Sequence, residues 1–300
     1  MLPVRYFHLV FTLPRELNEL CLYYPREMYD LLFHSVWETM QEFGKTHKHL
    51  GAETGMIAVL HTWGQNLCLH PHIHCLVPSG GLTRQKKWRY SRTKGKYLYP
   101  VKALSEVFRG KFTDGLIKLG KNGIINHQQP FDANQKHLHP LYRRRWVVYA
   151  KQPVEGNEQI IEYLGQYVQR VAISNHRIKE VTGNNVTFSW FNYKTSKSDL
   201  MTLPGVEFLR RWTQHVLPEG FVKVRHYGIL SCRNKKVALT IIREALNAEP
   251  PESTGGLKWF EVYRLTYGES PFLCPVCRKA EMVRVETFLP IRDGPSGNLS

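Results

Sequence analysis

The chain has 300 residues, 42% hydrophobic and 22% charged, which excludes a disordered chain and allows one large packed domain or two modest ones. Lys and Arg number 41 against 25 acids, a formal charge of +16. Such an excess points to a polyanionic partner, nucleic acid before a membrane surface, and 12% aromatics offer faces on which single-stranded bases stack.

Residues 2–13 are fairly apolar, but Arg5 and His8 interrupt them and no small-residue cleavage site follows, so no secretory leader is expected. No run approaches the roughly 18 apolar residues of a membrane span. The six cysteines, at 21, 68, 75, 232, 274 and 277, are irregularly spaced. They do not read as a secreted disulfide framework, and a reducing cytoplasm is expected.

Along the chain, 5–14 alternates as a strand, with Tyr6, His8, Val10 and Thr12 on one face and Phe7, Leu9, Phe11 and Leu13 on the other. Leu31, Leu32, Val36 and Met40 recur at helical spacing, predicting a helix over about 25–43 that Gly44 stops. Residues 56–61 and 69–77 read as two strands of a hairpin, joined across "TWGQN". The basic stretch 84–99 interleaves Trp88, Tyr90 and Tyr97, and reads equally as a solvated loop or one facing nucleic acid. A helix follows over 104–120, a strand over 146–151, an amphipathic helix over 157–173, a strand over 185–193 and a helix over 205–218. The Pro- and Gly-rich "NAEPPESTGG" (247–256) is the clearest linker. Strands and helices mix without regular βαβ alternation, so the expected class is α+β with a mainly antiparallel central sheet. The expected division is a catalytic domain over 1–235 and a helix, linker and short CPVC-containing tail over 236–300.

The informative stretch is "HPHIHC", residues 70–75. In a strand His70, His72 and His74 share one face. Three neighbouring imidazoles cannot cheaply all carry protons, and neutral imidazole is the commonest metal ligand. Zinc has no clear completing pattern of cysteine or acid nearby, unless Cys68 or a distant residue supplies it. A harder ion such as Mg²⁺ or Mn²⁺, with positions left open for phosphate oxygens, suits a phosphodiester. Tyr163 and Tyr167 are four apart in the helix over 157–173, so they stack on one face roughly 5–6 Å apart, beside Arg170. Tyrosines at a helix–sheet boundary are usually packing residues with a wet hydroxyl, and taken alone the pair is a weak signal for nucleophiles.

Together, "HIH" at 72–74 and "YLGQY" at 163–167 resemble the HUH endonucleases with two tyrosines. The blocks "LHTWGQNLCLHPHIHCLVPSGGL", "YLGQYVQRVAISNHRI" and "HVLPEGFVKVRHYGILS" look more closely like the IS91-type transposases, over roughly residues 3–235. The resemblance implies that His72 and His74 hold a divalent metal ion, Mg²⁺ or Mn²⁺. It implies that Tyr163 and Tyr167 are paired nucleophiles that cut single-stranded DNA at transposon ends and target, leaving a 5′-phosphotyrosine and a free 3′-hydroxyl. HUH enzymes usually add a third ligand, often from the preceding strand. His61 and His70 are level candidates here, with Gln166 and Gln169 weaker. Trp63, Lys151 and Arg170 are the expected DNA contacts, and Arg143, Arg144 and Arg145 beside Trp146 could meet phosphate or water. No GxxxxGK[ST] motif is present and no nucleotide cofactor is expected. The resemblance implies a cysteine-rich segment ahead of the block that opens here at Leu2; the expectation is either a short natural variant or a chain without that front module, and transposition by this chain alone is not expected if the module recognises element ends. CPVC at 274–277 is half a zinc site. Rival readings are a decayed single-stranded DNA-binding protein, and a rolling-circle replication initiator or relaxase with the same chemistry.

Overall fold

The computed structural model describes residues 2–91, 98–125, 140–151, 153, 165, 168, 171–193, 195–233, 235–248 and 256–283. It divides into two compact units, Met1–Glu249 and Pro250–Ser300. The first unit is built on β1 (Tyr6–Thr12), β2 (Gly55–Trp63) and β3 (Leu69–Pro78), joined by β4 (Gly80–Leu82), β5 (Trp88–Tyr90), β6 (Val147–Ala150), β7 (Ile178–Thr182), β8 (Asn185–Asn192), β9 (Lys197–Pro204) and β10 (Val224–Gly228). Its helices are α1 (Asn18–Tyr23), α2 (Pro25–Lys45), α3 (Val101–Lys121), α4 (Gly205–Thr213) and α5 (Lys235–Ala245). The second unit contains α6 (Trp259–Tyr267).

The central sheet has five strands in the order β10-β2-β3-β1-β6, and every pairing is antiparallel. The class is α+β, as expected. Period-2 side chains decide its two faces. Phe7, Leu9 and Phe11 of β1, Met56, Ala58 and Leu60 of β2 and Ile73, Cys75 and Val77 of β3 are buried in one cluster with Met28, Leu32, Val36 and Met40 of α2 and Leu104, Phe108 and Phe112 of α3. Each large side chain among these (Val, Leu, Ile, Met or Phe) contributes roughly 1.5–3 kcal/mol by leaving water. Gly115 lets the two helices approach, because a Cβ there would sit 2.2 Å from a Leu31 methyl.

The opposite face is split along its length. At one end Leu2, Tyr6, Ile57 and Leu76 pack under α5 through Ala238 and Ile242, with Ile229 and Leu230. At the other end the same face carries His8, His61, His72 and His74 and is left as a cleft. A third cluster gathers Phe188 of β8, Phe208 of α4, Ala172, Ile173 and Leu67. The three-stranded sheet β7-β8-β9 therefore packs against the β2–β3 connection at the rim of that cleft.

β7, β9, α1 and α6 have no counterpart in the sequence reading, and other differences have physical reasons. α4 ends at Thr213 rather than running to 218, because the next residues tighten into a turn (His215 N–H to Trp212 C=O, 3.1 Å) that sends the His215 ring to the Leu67 carbonyl at 3.0 Å. β10 has no counterpart in the sequence reading; it is an edge strand whose Arg225 pairs with Asp30 and lies over the Phe33 ring, 4.2 Å from its centroid. Part of the basic stretch 84–99 is strand, since Trp88–Tyr90 pairs with Gly80–Leu82; residues 92–97 lie outside the described residues. Among the described residues no helix is long and apolar enough to cross a membrane.

Candidate metal centre and cleft

The cleft encloses about 500 Å³. Its floor comes from the register of three strands. His61 of β2 is directly opposite His72 of β3, and Val59 opposite His74. On the other side Val10 and Thr12 of β1 are opposite His74 and His72. Cross-strand neighbours on one face lie about 5 Å apart, so two strands deliver three imidazoles to one point. One ring nitrogen of each of His61, His72 and His74 lies within 4.8 Å of the others. Two metal–nitrogen bonds of about 2.1 Å span at most about 4.2 Å, so small side-chain rotations bring all three onto one ion.

His72 and His74 each have a second ring nitrogen engaged. His72 Nδ1 donates to the His70 carbonyl at 2.6 Å. His74 Nδ1 meets Nε2 of His8 at 2.8 Å, and the two rings stack with centroids 5.1 Å apart. Both histidines of β3 thus keep Nε2 for the cluster. His8 is 1% exposed, and its pKa is pushed down to about 3, first by burial and then by the charges of Lys151 and His61. With a metal on His74 Nε2, a neutral His8 would accept from His74 Nδ1–H and fix the ring's tautomer and orientation, as outer partners of metal-bound histidines do. The donor set therefore fits a divalent cation: three imidazoles, two with a second nitrogen held, on paired strands.

His70 stands apart from this triad. It lines the cleft, with its ring 5.2 Å from that of His72. Its position follows from a register shift between His61 and Trp63, a bulge that re-aims the strand; beyond it Trp63 is opposite Leu69, so no β2 histidine faces His70. Trp63 forms part of the wall, stacked on His61 at 4.7 Å and 17°. Lys151 lines the cleft, anchored by its N–H to the His8 carbonyl at 2.9 Å. Arg143, Arg144 and Arg145 are exposed and do not line the cleft; Arg144 pairs with Glu16 at 2.7 Å. Tyr163, Tyr167 and Arg170, with Gln166 and Gln169, lie outside the described residues. Gly165 and Val168 between them are helical, and Val171 and Ala172, which follow directly, line the cleft.

Sequence reasoning missed His8, Arg177, Tyr149 and Tyr193, all of which line the cleft. Arg177 donates to the carbonyls of Ser189 (2.9 Å), Ala172 (3.3 Å) and Gln65, tying the small sheet to the β2–β3 loop. None of the described residues lining the cleft is acidic, whereas Lys151 and Arg177 are cations. Such walls attract anions.

The family model described as "Putative transposase" (Y2) matches residues 55–237. "Putative transposase y4qJ" of Sinorhizobium fredii is 37% identical over 99% of this chain and 76% of its own length. "Transposase for insertion sequence element IS801" of Pseudomonas savastanoi pv. phaseolicola is 26% identical over 90% of this chain and 65% of its own length. Among solved structures, the conjugative relaxase TrwC in complex with mutant oriT DNA is 13% identical with a TM-score of 0.30, covering 59% of this chain and 67% of that one, a likeness too slight to bear on the site. On the family match and the 37%-identical relative, this chain belongs to the Y2, IS91-type family of transposases.

Proposed function

We propose that the chain nicks and joins single-stranded DNA at transposon ends through a 5′-phosphotyrosine, with Tyr163 and Tyr167 as nucleophiles. The observation that carries this reading is the convergence of His61, His72 and His74 within 4.8 Å in a cleft with cationic walls and no acid among its described lining residues. His61, His72 and His74 would hold a divalent ion, Mg²⁺ or Mn²⁺, which would supply Lewis-acid polarisation of the scissile phosphate. His8 and the His70 carbonyl hold two of those imidazoles in orientation. Lys151 and Arg177 attract the phosphate backbone.

The tyrosine hydroxyl attacks phosphorus. The Oη–P bond forms as the P–O3′ bond breaks, and the tyrosine proton ends on the departing 3′-oxygen. The phosphotyrosine retains the bond energy of the diester, so a 3′-hydroxyl reverses the step at a new junction without a nucleotide cofactor. The second tyrosine permits a second cut while the first end stays attached.

The test is nicking of labelled single-stranded oligonucleotides from the DNA flanking the gene. Cleavage with Mg²⁺ or Mn²⁺ that stops with EDTA and in His72→Ala and His74→Ala supports the reading. Cleavage indifferent to EDTA and to both substitutions overturns it.

A further inference from the structure

The cysteine pair of the second unit lies outside this chemistry. Residues 250–300 hold no other cysteine and no histidine. Around the pair the chain folds back on itself. Leu273 bridges Glu281 in antiparallel fashion, Cys274 N–H donates to the Ala280 carbonyl at 2.7 Å, and Arg278 N–H donates to the Cys274 carbonyl at 2.9 Å. Arg278 has a φ of 51°, an uncommon conformation for a residue with a side chain. It turns the chain so that the N–H groups of Lys279 and Ala280 serve the Cys277 sulfur. These amides and the Cys274 side chain are the hydrogen-bond partners of the Cys277 sulfur. The loop is braced on α6 by the Arg264–Glu281 ion pair at 2.7 Å and by the Phe260 and Phe272 rings, 5.7 Å apart. Two sulfurs are thus held side by side on a fixed turn, with Cys277 exposed and Cys274 half-buried.

We propose that Cys274 and Cys277 are half of a tetrahedral thiolate site for a thiophilic divalent cation, Zn²⁺ by chemistry, completed by the same pair from a second copy of this chain. Structural zinc takes four ligands, and sulfur suits it. Among the described residues no third histidine, cysteine or acid joins this pair; only His61, His72 and His74 form such a group. A two-fold axis through the ion supplies the other two thiolates from an identical surface. Around the pair Val276, Met282 and Val283 are 91%, 52% and 83% exposed, apolar area that the second copy covers. The ion would bring two histidine clefts into one particle.

The test uses the full chain, with Co²⁺ as the spectroscopic probe and Zn²⁺ as competitor. The expected result is a sulfur-to-cobalt charge-transfer band that saturates at one ion per two chains and is erased by Zn²⁺. Light scattering should show the mass doubling with Zn²⁺ and reverting with EDTA. Cys277→Ser should lose band and doubling while Mn²⁺ binding, read by electron paramagnetic resonance, persists at the histidines. No thiolate band, or a band saturating at one ion per monomeric chain, overturns the proposal.

Discussion

Removing the hydrogen-bonding nitrogens of His8 while keeping its volume should weaken metal binding without touching a ligand. His8→Phe keeps an aromatic ring in a site that is 1% exposed, and deletes the acceptor that lies 2.8 Å from His74 Nδ1. His74 is then left with an unmatched N–H beside an apolar ring, or turns and withdraws Nε2 from the cluster. A buried donor without a partner costs about 1–3 kcal/mol, and loss of an outer partner typically lowers metal affinity about 10–100-fold, or about 1.4–2.7 kcal/mol. Because His74 is half-buried, water can reach its donor in part, and about tenfold is the expected loss. His8→Gln, which restores a polar reach to His74, should recover most of it. Titration calorimetry with Mn²⁺ reads the affinity directly, and circular dichroism checks that the sheet is intact. A folded His8→Phe protein that binds Mn²⁺ as tightly as the parent would refute the positioning role.

His61→Ala should lower Mn²⁺ affinity more than tenfold and His70→Ala less than about threefold; equal losses in calorimetry would put His70 back among the ligands. Lys151→Ala should reduce the slope of log affinity against log salt for single-stranded DNA by about 0.7, the share of one phosphate contact, and an unchanged slope would remove Lys151 from the DNA path. Arg177→Met strips donors from three carbonyls and should cost about 2–4 kcal/mol in urea unfolding; a loss below about 0.5 kcal/mol would contradict its tying role. Hydrogen bonds from Arg210 and then Arg211 hold the Glu207 carboxyl at about 2 against an ordinary 4.5. As pH falls the unfolded chain therefore takes up that proton first, so the contribution to stability is full above about 4.5 and is lost as pH falls through about 2. A carboxyl resonance of Glu207 titrating near 4.5 would contradict the pairing.

Much of the sheet was legible because period-2 alternation is local. The β1 reading, with His8, Val10 and Thr12 opposite Phe7, Leu9 and Phe11, matches the burial of the apolar side under α2 and α3. His8 went unnoticed as a site residue because its partner is 66 residues away. Strand order alone puts β1 rather than a helix beside β3, and sequence order does not reveal it. His61 and His70 could not be ranked, since the deciding feature is the bulge between His61 and Trp63. β10 escaped because its five residues, half-buried but for the exposed His226, show no clean apolar alternation. Arg177, Tyr149 and Tyr193 reach the cleft from separate elements, and only tertiary packing brings them there.

The central claim is that a tyrosine of the 163–167 motif and the His61–His72–His74 cluster form one reacting centre. Tyr149 and Tyr193 also line the cleft, and they are the natural rivals. The deciding measurement is mass-spectrometric mapping of the covalent adduct formed with single-stranded DNA and Mg²⁺, on the parent, Tyr163→Phe, Tyr167→Phe and the double variant. The account predicts a 5′-phosphonucleotide on the peptide holding Tyr163 and Tyr167, shifting between them in the single variants and absent from the double variant. An adduct on Tyr149 or Tyr193, or one that survives in the double variant, would contradict it.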